Sequence, residues 1–270
     1  MKLRVITAAV TIPILLLLLL AAPKVIVAVV WGAVLAVSSY ELLYVTGMVR
    51  EIRLVVYASA MAFIISVWSY FEASYAVGIL ILLAYICLLF LEMMLSHVKI
   101  TFDKLCLCLV AGALIPFLQS SLIRILSMKI GRYLVLIPFI VAFLSDGGAY
   151  FIGKFFGKHK LAPVISQHKT IEGAFGGVLC AVLGMVIYTV VLQFAFDFRV
   201  NYLFAVFYGV VGAAAGVFGD LCFSVIKRQT GLKDYGSIIP GHGGVLDRFD
   251  SMMLVAPLME VLLAILPVAV

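Results

Sequence analysis

The chain has 270 residues, of which 66% are hydrophobic and 12% charged, and its mean hydropathy is +1.26. A soluble domain of this length cannot enclose so much apolar surface, so that class is excluded and a polytopic membrane protein is expected. The formal net charge of +6 is read as basic loops facing anionic lipid, not as a nucleic-acid footprint.

A bilayer-crossing helix needs about 20 apolar residues. Nine spans are predicted, at 5–22, 25–45, 54–71, 75–95, 105–126, 133–152, 174–196, 202–226 and 249–270. Met1-Lys2-Leu3-Arg4 ahead of the first run resembles a signal peptide, but the run is long enough to span and a retained helix is expected. Pro23 and Lys24 make a tight hairpin of the first two spans. The expected fold is all-α, a polytopic transmembrane helical bundle. It divides into N-terminal helices 1–130 and a C-terminal transmembrane region 131–270 with polar loops 153–173 and 227–248. No polar tail, low-complexity linker or second soluble domain is seen.

With nine spans, 14 of the 19 Lys and Arg residues fall on the N-terminal side and five (Lys24, Arg124, Lys129, Arg132 and Arg199) on the other. Positive charge marks the cytoplasmic side, so the N-terminus and both polar loops are expected there and the C-terminus outside. Pro13, Pro116, Pro138 and Pro257 are read as tolerated kinks. Gly209, Gly212 and Gly216, with Ala213 to Ala215, give the eighth span a small face suited to close packing within one subunit. The five cysteines lack zinc-ligand spacing and are read as small buried hydrophobes.

Carboxylates interrupt this pattern. Asp146 lies near the end of the sixth span and Asp220 near the end of the eighth; Asp247 opens the ninth, followed by Asp250. Exposing an aspartate to lipid costs roughly 2.5–3.5 kcal/mol on insertion scales, so each must face protein, water or a cation. Oxygen sites with one or two carboxylates plus substrate phosphates suit Mg²⁺. Ion pairing alone would account for one such acid, less well for several at one depth. Metal binding is therefore assigned to Asp220 and Asp247, while Asp146 and Asp250 are weighed between the site and buried ion pairs.

Residues 224–250 form a polar, glycine-rich island, SVIKRQTGLKDYGSIIPGHGGVLDRFD, with seven charged residues. Gly236, Gly241, Gly243 and Gly244 let backbone approach an anion. Lys227, Arg228, Lys233 and Arg248 supply cationic charge for phosphate, and His242 a donor or an acid/base group. A basic interfacial loop touching headgroups is the competing reading, but it does not require PGHGG followed by Asp-Arg-x-Asp. In the other polar loop, GKFFGK lacks P-loop spacing. His159 and His168 have no partnered metal spacing and are read as solvated. Lys169, Thr170 and Glu172 open the seventh span, with Thr170 as its cap or the group as substrate contacts.

Ser224-x-x-Lys227-Arg228, Lys233-Asp234 and Pro240-x-His242-Gly243-Gly244-x-x-Asp247-Arg248-x-Asp250 resemble the signature of phosphatidate cytidylyltransferases, also called CDP-diacylglycerol synthases. Asp146-x-x-Ala149-Tyr150-x-x-Gly153-Lys154-x-x-Gly157-Lys158, Ile165-Ser166 and Lys169-Thr170-x-Glu172-Gly173 resemble the family too, with Gln167 where proline is usual. The resemblance covers the C-terminal half; the first 130 residues match only as hydrophobic spans. It implies a multi-pass cell-membrane enzyme, with its active site facing the cytoplasm, that condenses CTP with phosphatidic acid to CDP-diacylglycerol and pyrophosphate. It also implies Mg²⁺ dependence, a monovalent cation such as K⁺, and a homodimer. On that reading Asp220 and Asp247 hold the metal, Lys227, Arg228, His242 and Arg248 serve catalysis, and Asp146, Lys169, Thr170, Glu172, Ser224, Lys233, Asp234, Gly243, Gly244 and Asp250 contact substrate. The alternatives weighed are a CTP-dependent polyprenol kinase, and a cation-coupled transporter, for which no half-repeat is seen.

Overall fold

Lys24 begins the first of seven helices among the described residues that are long and apolar enough to cross a membrane: Lys24–Val45, Ile52–Phe71, Tyr75–Leu95, Phe102–Ser127, Gly131–Phe156, Ile171–Phe196 and Tyr202–Gln229. The structure is a computed structural model that describes residues 2–71, 75–97, 99–238 and 243–270, with backbone only for 2–10 and 12. The first expected span coincides with α1 (Lys2–Ala21) and the ninth with α13 (Met252–Ile265), which is 14 residues long. The all-α membrane fold is as expected, and the multi-pass character with it.

The helices are less regular than a hydropathy pattern implies. α2 (Lys24–Tyr40) runs into a π turn at Glu41–Val45. α3 is Ile52–Phe71 and α4 is Tyr75–Leu95. The next span is assembled from α5 (Phe102–Leu109), a π turn (Val110–Leu114), α6 (Ile115–Gln119) and α7 (Ser121–Ser127). Pro116 sits in the first turn of α6, just past the π turn, where its missing N–H costs least. α8 (Gly131–Leu134) leads into α9 (Leu136–Phe156), followed by α10 (Ile171–Phe196), α11 (Tyr202–Gln229), α12 (Leu246–Phe249) and α13.

The polar loop expected at 153–173 is shorter than read. α9 continues to Phe156, and a two-stranded antiparallel ribbon follows, β1 (Lys160–Ala162) with β2 (Ser166–Thr170). Lys227 and Arg228 likewise belong to the last turn of α11.

The chain forms two compact units. One contains Met1–Ser127 with Gln229–Phe249, the other Met128–Arg228 with Asp250–Val270. In the first, the indole N–H of Trp31 donates to the Gln119 carbonyl at 3.1 Å, Ser66 Oγ to the Ala28 carbonyl at 2.9 Å and Tyr85 to the Cys108 carbonyl at 2.8 Å. These three side chains spend their donors on a neighbouring span's backbone, which offsets the cost of burying a polar group in a low-dielectric interior. Only Tyr85 and Leu89 of α4 are buried. Cys87 on α4 is exposed, Cys106, Cys180 and Cys222 are half-buried and Cys108 alone of the five is buried, which corrects the reading of all five cysteines as buried.

In the second unit α9 and α10 pack closely: a methyl on Gly177 would lie 2.7 Å from the Ser145 carbonyl oxygen. The small face of α11 also packs within the unit, Gly209 on Val182 and Gly212 on Val141 and Met259. The Val270 N–H donates to the Arg199 carbonyl at 3.0 Å and the Asn201 N–H to the Val268 carbonyl at 3.0 Å. The C-terminus is thereby fixed at the α10–α11 turn, the far end of α10 from Lys169. A helix of 26 residues separates those ends by about 39 Å.

Candidate active site

The second unit gathers the polar residues of four elements. Asp220, Ser224 and Lys227 follow at i, i+4 and i+7 along α11, one face of a helix. From β2, Lys169 reaches Asp220, its Nζ 2.5 Å from Oδ2. Ser224 Oγ donates to Asp220 Oδ1 at 3.2 Å. Lys227 Nζ is 3.8 Å from Asp250 Oδ2, with both side chains 12% exposed. The Ser251 N–H donates to Asp250 Oδ1 at 2.8 Å, and Ser251 Oγ to Asp146 Oδ2 on α9 at 3.3 Å. Asp250 feels the charges of Asp220, Lys227 and Asp146. Six of the expected site residues therefore meet here: Asp146, Lys169, Asp220, Ser224, Lys227 and Asp250.

The ribbon braces this cluster. Thr170 caps α10 as expected, its Oγ1 accepting the Gly173 N–H at 3.1 Å. Glu172 accepts the backbone N–H groups of Lys158 and His159 and lies 2.6 Å from His159 Nδ1. It thus fixes the turn into the ribbon, and His159 is tied to it as well as solvated. Arg228 Nε donates to the Ile165 carbonyl at 3.1 Å, joining the end of α11 to the ribbon.

The island belongs to the first unit, and a nest of N–H groups is present in it. What fills the nest is the chain's own acid. Asp247 Oδ2 accepts the N–H of Tyr235 at 2.8 Å and of Gly244 at 3.0 Å. Glu41 Oε1 accepts the N–H of Val245 at 3.0 Å, and its Oε2 that of Leu246 at 2.8 Å. Gly243 has φ +85°, and a methyl there would lie 3.0 Å from Asp247 Oδ2. Lys233, Asp234 and Arg248 are exposed on this loop. His242, with Ile239, Pro240 and Gly241, lies outside the described residues.

Asp220 and Asp247, expected as joint metal ligands, belong to different units. Among the described residues no group of three or more His, Cys, Asp or Glu side chains is placed to hold a metal unaided. A Mg²⁺ ion that keeps water and takes substrate oxygens needs only one or two carboxylates. Asp220, with Asp250 and Asp146 near it, meets that requirement, since among the described residues Lys169 pairs with one of its oxygens and Ser224 with the other, and each carboxylate oxygen has two lone pairs.

The sequence reading missed Glu41 and Gln119. The signal for Glu41 was a lone carboxylate inside an apolar span, which always asks for a partner.

A family model described as the cytidylyltransferase family matches residues 2–266. The chain is 48% identical over 132 residues to a phosphatidate cytidylyltransferase of Staphylococcus epidermidis, covering 49% of each protein. It is 47% identical over 133 residues to one of Staphylococcus haemolyticus and 46% over 133 to one of Staphylococcus aureus, each covering 49% of this chain and 50% of the relative. The chain thereby spans about half the length of the curated relatives it matches. With the family model covering nearly its full length, the chain belongs to the cytidylyltransferase family.

Proposed function

We propose that this protein condenses CTP with phosphatidic acid, giving CDP-diacylglycerol and pyrophosphate. The observation that carries the reading is the polar cluster of Asp146, Lys169, Asp220, Ser224, Lys227 and Asp250 at the ends of apolar helices. Family membership and relatives named phosphatidate cytidylyltransferase support the same reading.

The chemistry needs no protein nucleophile. A phosphate oxygen of phosphatidic acid attacks the α-phosphorus of CTP, and the bond from that phosphorus to the β-bridging oxygen breaks. The electron pair leaves with pyrophosphate. The protein's work is positioning and charge stabilisation. Lys227 and Lys169 are proposed as phosphate contacts, each held in place by a carboxylate. Exposed Lys233 and Arg248 are proposed as further phosphate contacts. Asp220 is the carboxylate proposed to hold Mg²⁺, which when bound neutralises triphosphate charge. The diacyl tails stay in the bilayer, and CTP arrives from the cytoplasm.

The fate of label tests the reading. With α-labelled and γ-labelled CTP, the α-label is expected in lipid and the γ-label in pyrophosphate. A γ-label recovered in lipid with release of CDP would make the protein a lipid kinase instead.

A further inference from the structure

α12 is a single helical turn, and it carries Asp247 and Arg248. One turn has too few internal hydrogen bonds to hold itself. Both of its ends are held by side chains from distant spans of the same unit. At the start, Glu41 accepts the N–H groups of Val245 and Leu246. At the end, Gln119 Nε2 donates to the Phe249 carbonyl at 3.0 Å. Glu41 and Gln119 are 0% exposed, so water does not stand in for either. The Phe249 ring packs edge-on against Trp31 at 5.0 Å, and Trp31 in turn donates to the Gln119 carbonyl.

Two helix irregularities lie at these contacts. Glu41 opens the π turn that ends α2, and Gln119 closes the short α6 that follows the second π turn. A π turn inserts an extra residue and re-aims the side chains around it. The Glu41 carboxylate also explains two loop glycines. A methyl on Gly244 would lie 2.7 Å from both Glu41 oxygens, and one on Gly236 would lie 2.6 Å from Oε1. Neither glycine has positive φ, so the room taken by Glu41 excludes a side chain there.

We propose that Glu41 and Gln119 are positioning residues that clamp the Leu246–Phe249 turn and so set the placement of Asp247 and Arg248 for turnover. The effect on turnover rests on the nucleotidyl-transfer reading above; the clamp itself does not.

The experiment compares wild type, Glu41→Gln, Gln119→Leu, Gly244→Ala and the double variant Gly244→Ala/Glu41→Asp. All are purified in lipid nanodiscs and followed by hydrogen exchange of residues 243–249 and by steady-state pyrophosphate release. Glu41→Gln sets an amide N–H₂ against a backbone N–H. It is expected to speed exchange at Val245 and Leu246 and to lower kcat/KM by about 100-fold, the size of a roughly 1 Å misplacement. Gln119→Leu is expected to lower kcat/KM with exchange faster towards the end of the turn. Gly244→Ala is expected to be impaired, and shortening Glu41 to Asp to restore about fivefold of that loss by making room for the methyl. The suppressor pair keeps the test open if Glu41→Gln fails to fold. Unchanged exchange at Val245 and Leu246 would overturn the clamp, as would an absence of rescue. Faster exchange with kcat/KM within twofold of wild type would overturn the positioning role. A wild type that releases no pyrophosphate, alongside the expected exchange changes, would leave the clamp standing and remove the transfer reading.

Discussion

Lys169 Nζ lies 2.5 Å from Asp220 Oδ2, tying the second strand of the ribbon to the cytidylyltransferase-signature end of α11. Both side chains are about a quarter exposed, at 23% and 25%, so ligand has access to the pair. Lys169→Met removes the cation while keeping the length of the chain. Turnover is expected to fall about 10- to 100-fold, the size of a hydrogen bond to a charged group worth roughly 1.5–3 kcal/mol. Steady-state kinetics with CTP varied check this; unchanged kinetics would remove Lys169 from the site.

Gly243 is the loop position where backbone conformation is decisive. Its φ of +85° disfavours any residue with a Cβ, and a methyl would also press on Asp247 Oδ2 at 3.0 Å. Gly243→Ala is expected to cost about 1–2 kcal/mol of local stability and to reduce activity. Gly231, also at positive φ but with nothing near its Cβ position, is the control: Gly231→Asn is expected to keep activity, since asparagine tolerates that conformation.

The C-terminal residues pair with Arg199 and Asn201 at the far end of α10 from Lys169. A single cysteine at Val164, which is 88% exposed between the strands, and one appended after Val270 are therefore expected to react with impermeant thiol reagents from opposite membrane faces. The distribution of Lys and Arg in the sequence predicts that the Val164 face is the cytoplasmic one. Labelling of both sites from one face would contradict this topology.

Glu51, between two spans, carries a pH dependence. Burial pushes its carboxyl up, but the hydrogen bond and charge of Lys104, together with backbone hydrogen bonds at Glu51 and Arg50, outweigh it and the net shift is downward from 4.5. A depressed folded-state value contributes stability above the unfolded value, and that stability is lost as pH falls through the folded value. Melting in detergent is expected to weaken below about pH 4.5, and Glu51→Gln to show a shallower acid dependence. The pair is part-exposed, so the effect is small.

The membrane fold and half of the site were legible because they rest on strong local signals. Apolar runs give the spans, and Asp146, Asp220 and Asp250 stood out because a carboxylate beside lipid needs a reason. Thr170 was legible as a cap because Thr ahead of a helix has a mechanical role. The ribbon was not, since strands of three and five residues around Pro163 look like loop. Glu41 and Gln119 escaped because their partners lie 204 and 130 positions away, and the π turns that aim the spans have no sequence period of their own. The carboxylate rule applied to the aspartates would have flagged Glu41 had it been applied there.

The most direct test of the account is pyrophosphate release by purified protein given CTP, phosphatidic acid and Mg²⁺, with Asp220→Asn measured beside wild type. The expected result is release dependent on both substrates and on Mg²⁺, reduced about 100-fold or more in Asp220→Asn while the variant still inserts and elutes as wild type does. Near-normal release by Asp220→Asn at saturating Mg²⁺, or none by wild type, would contradict it.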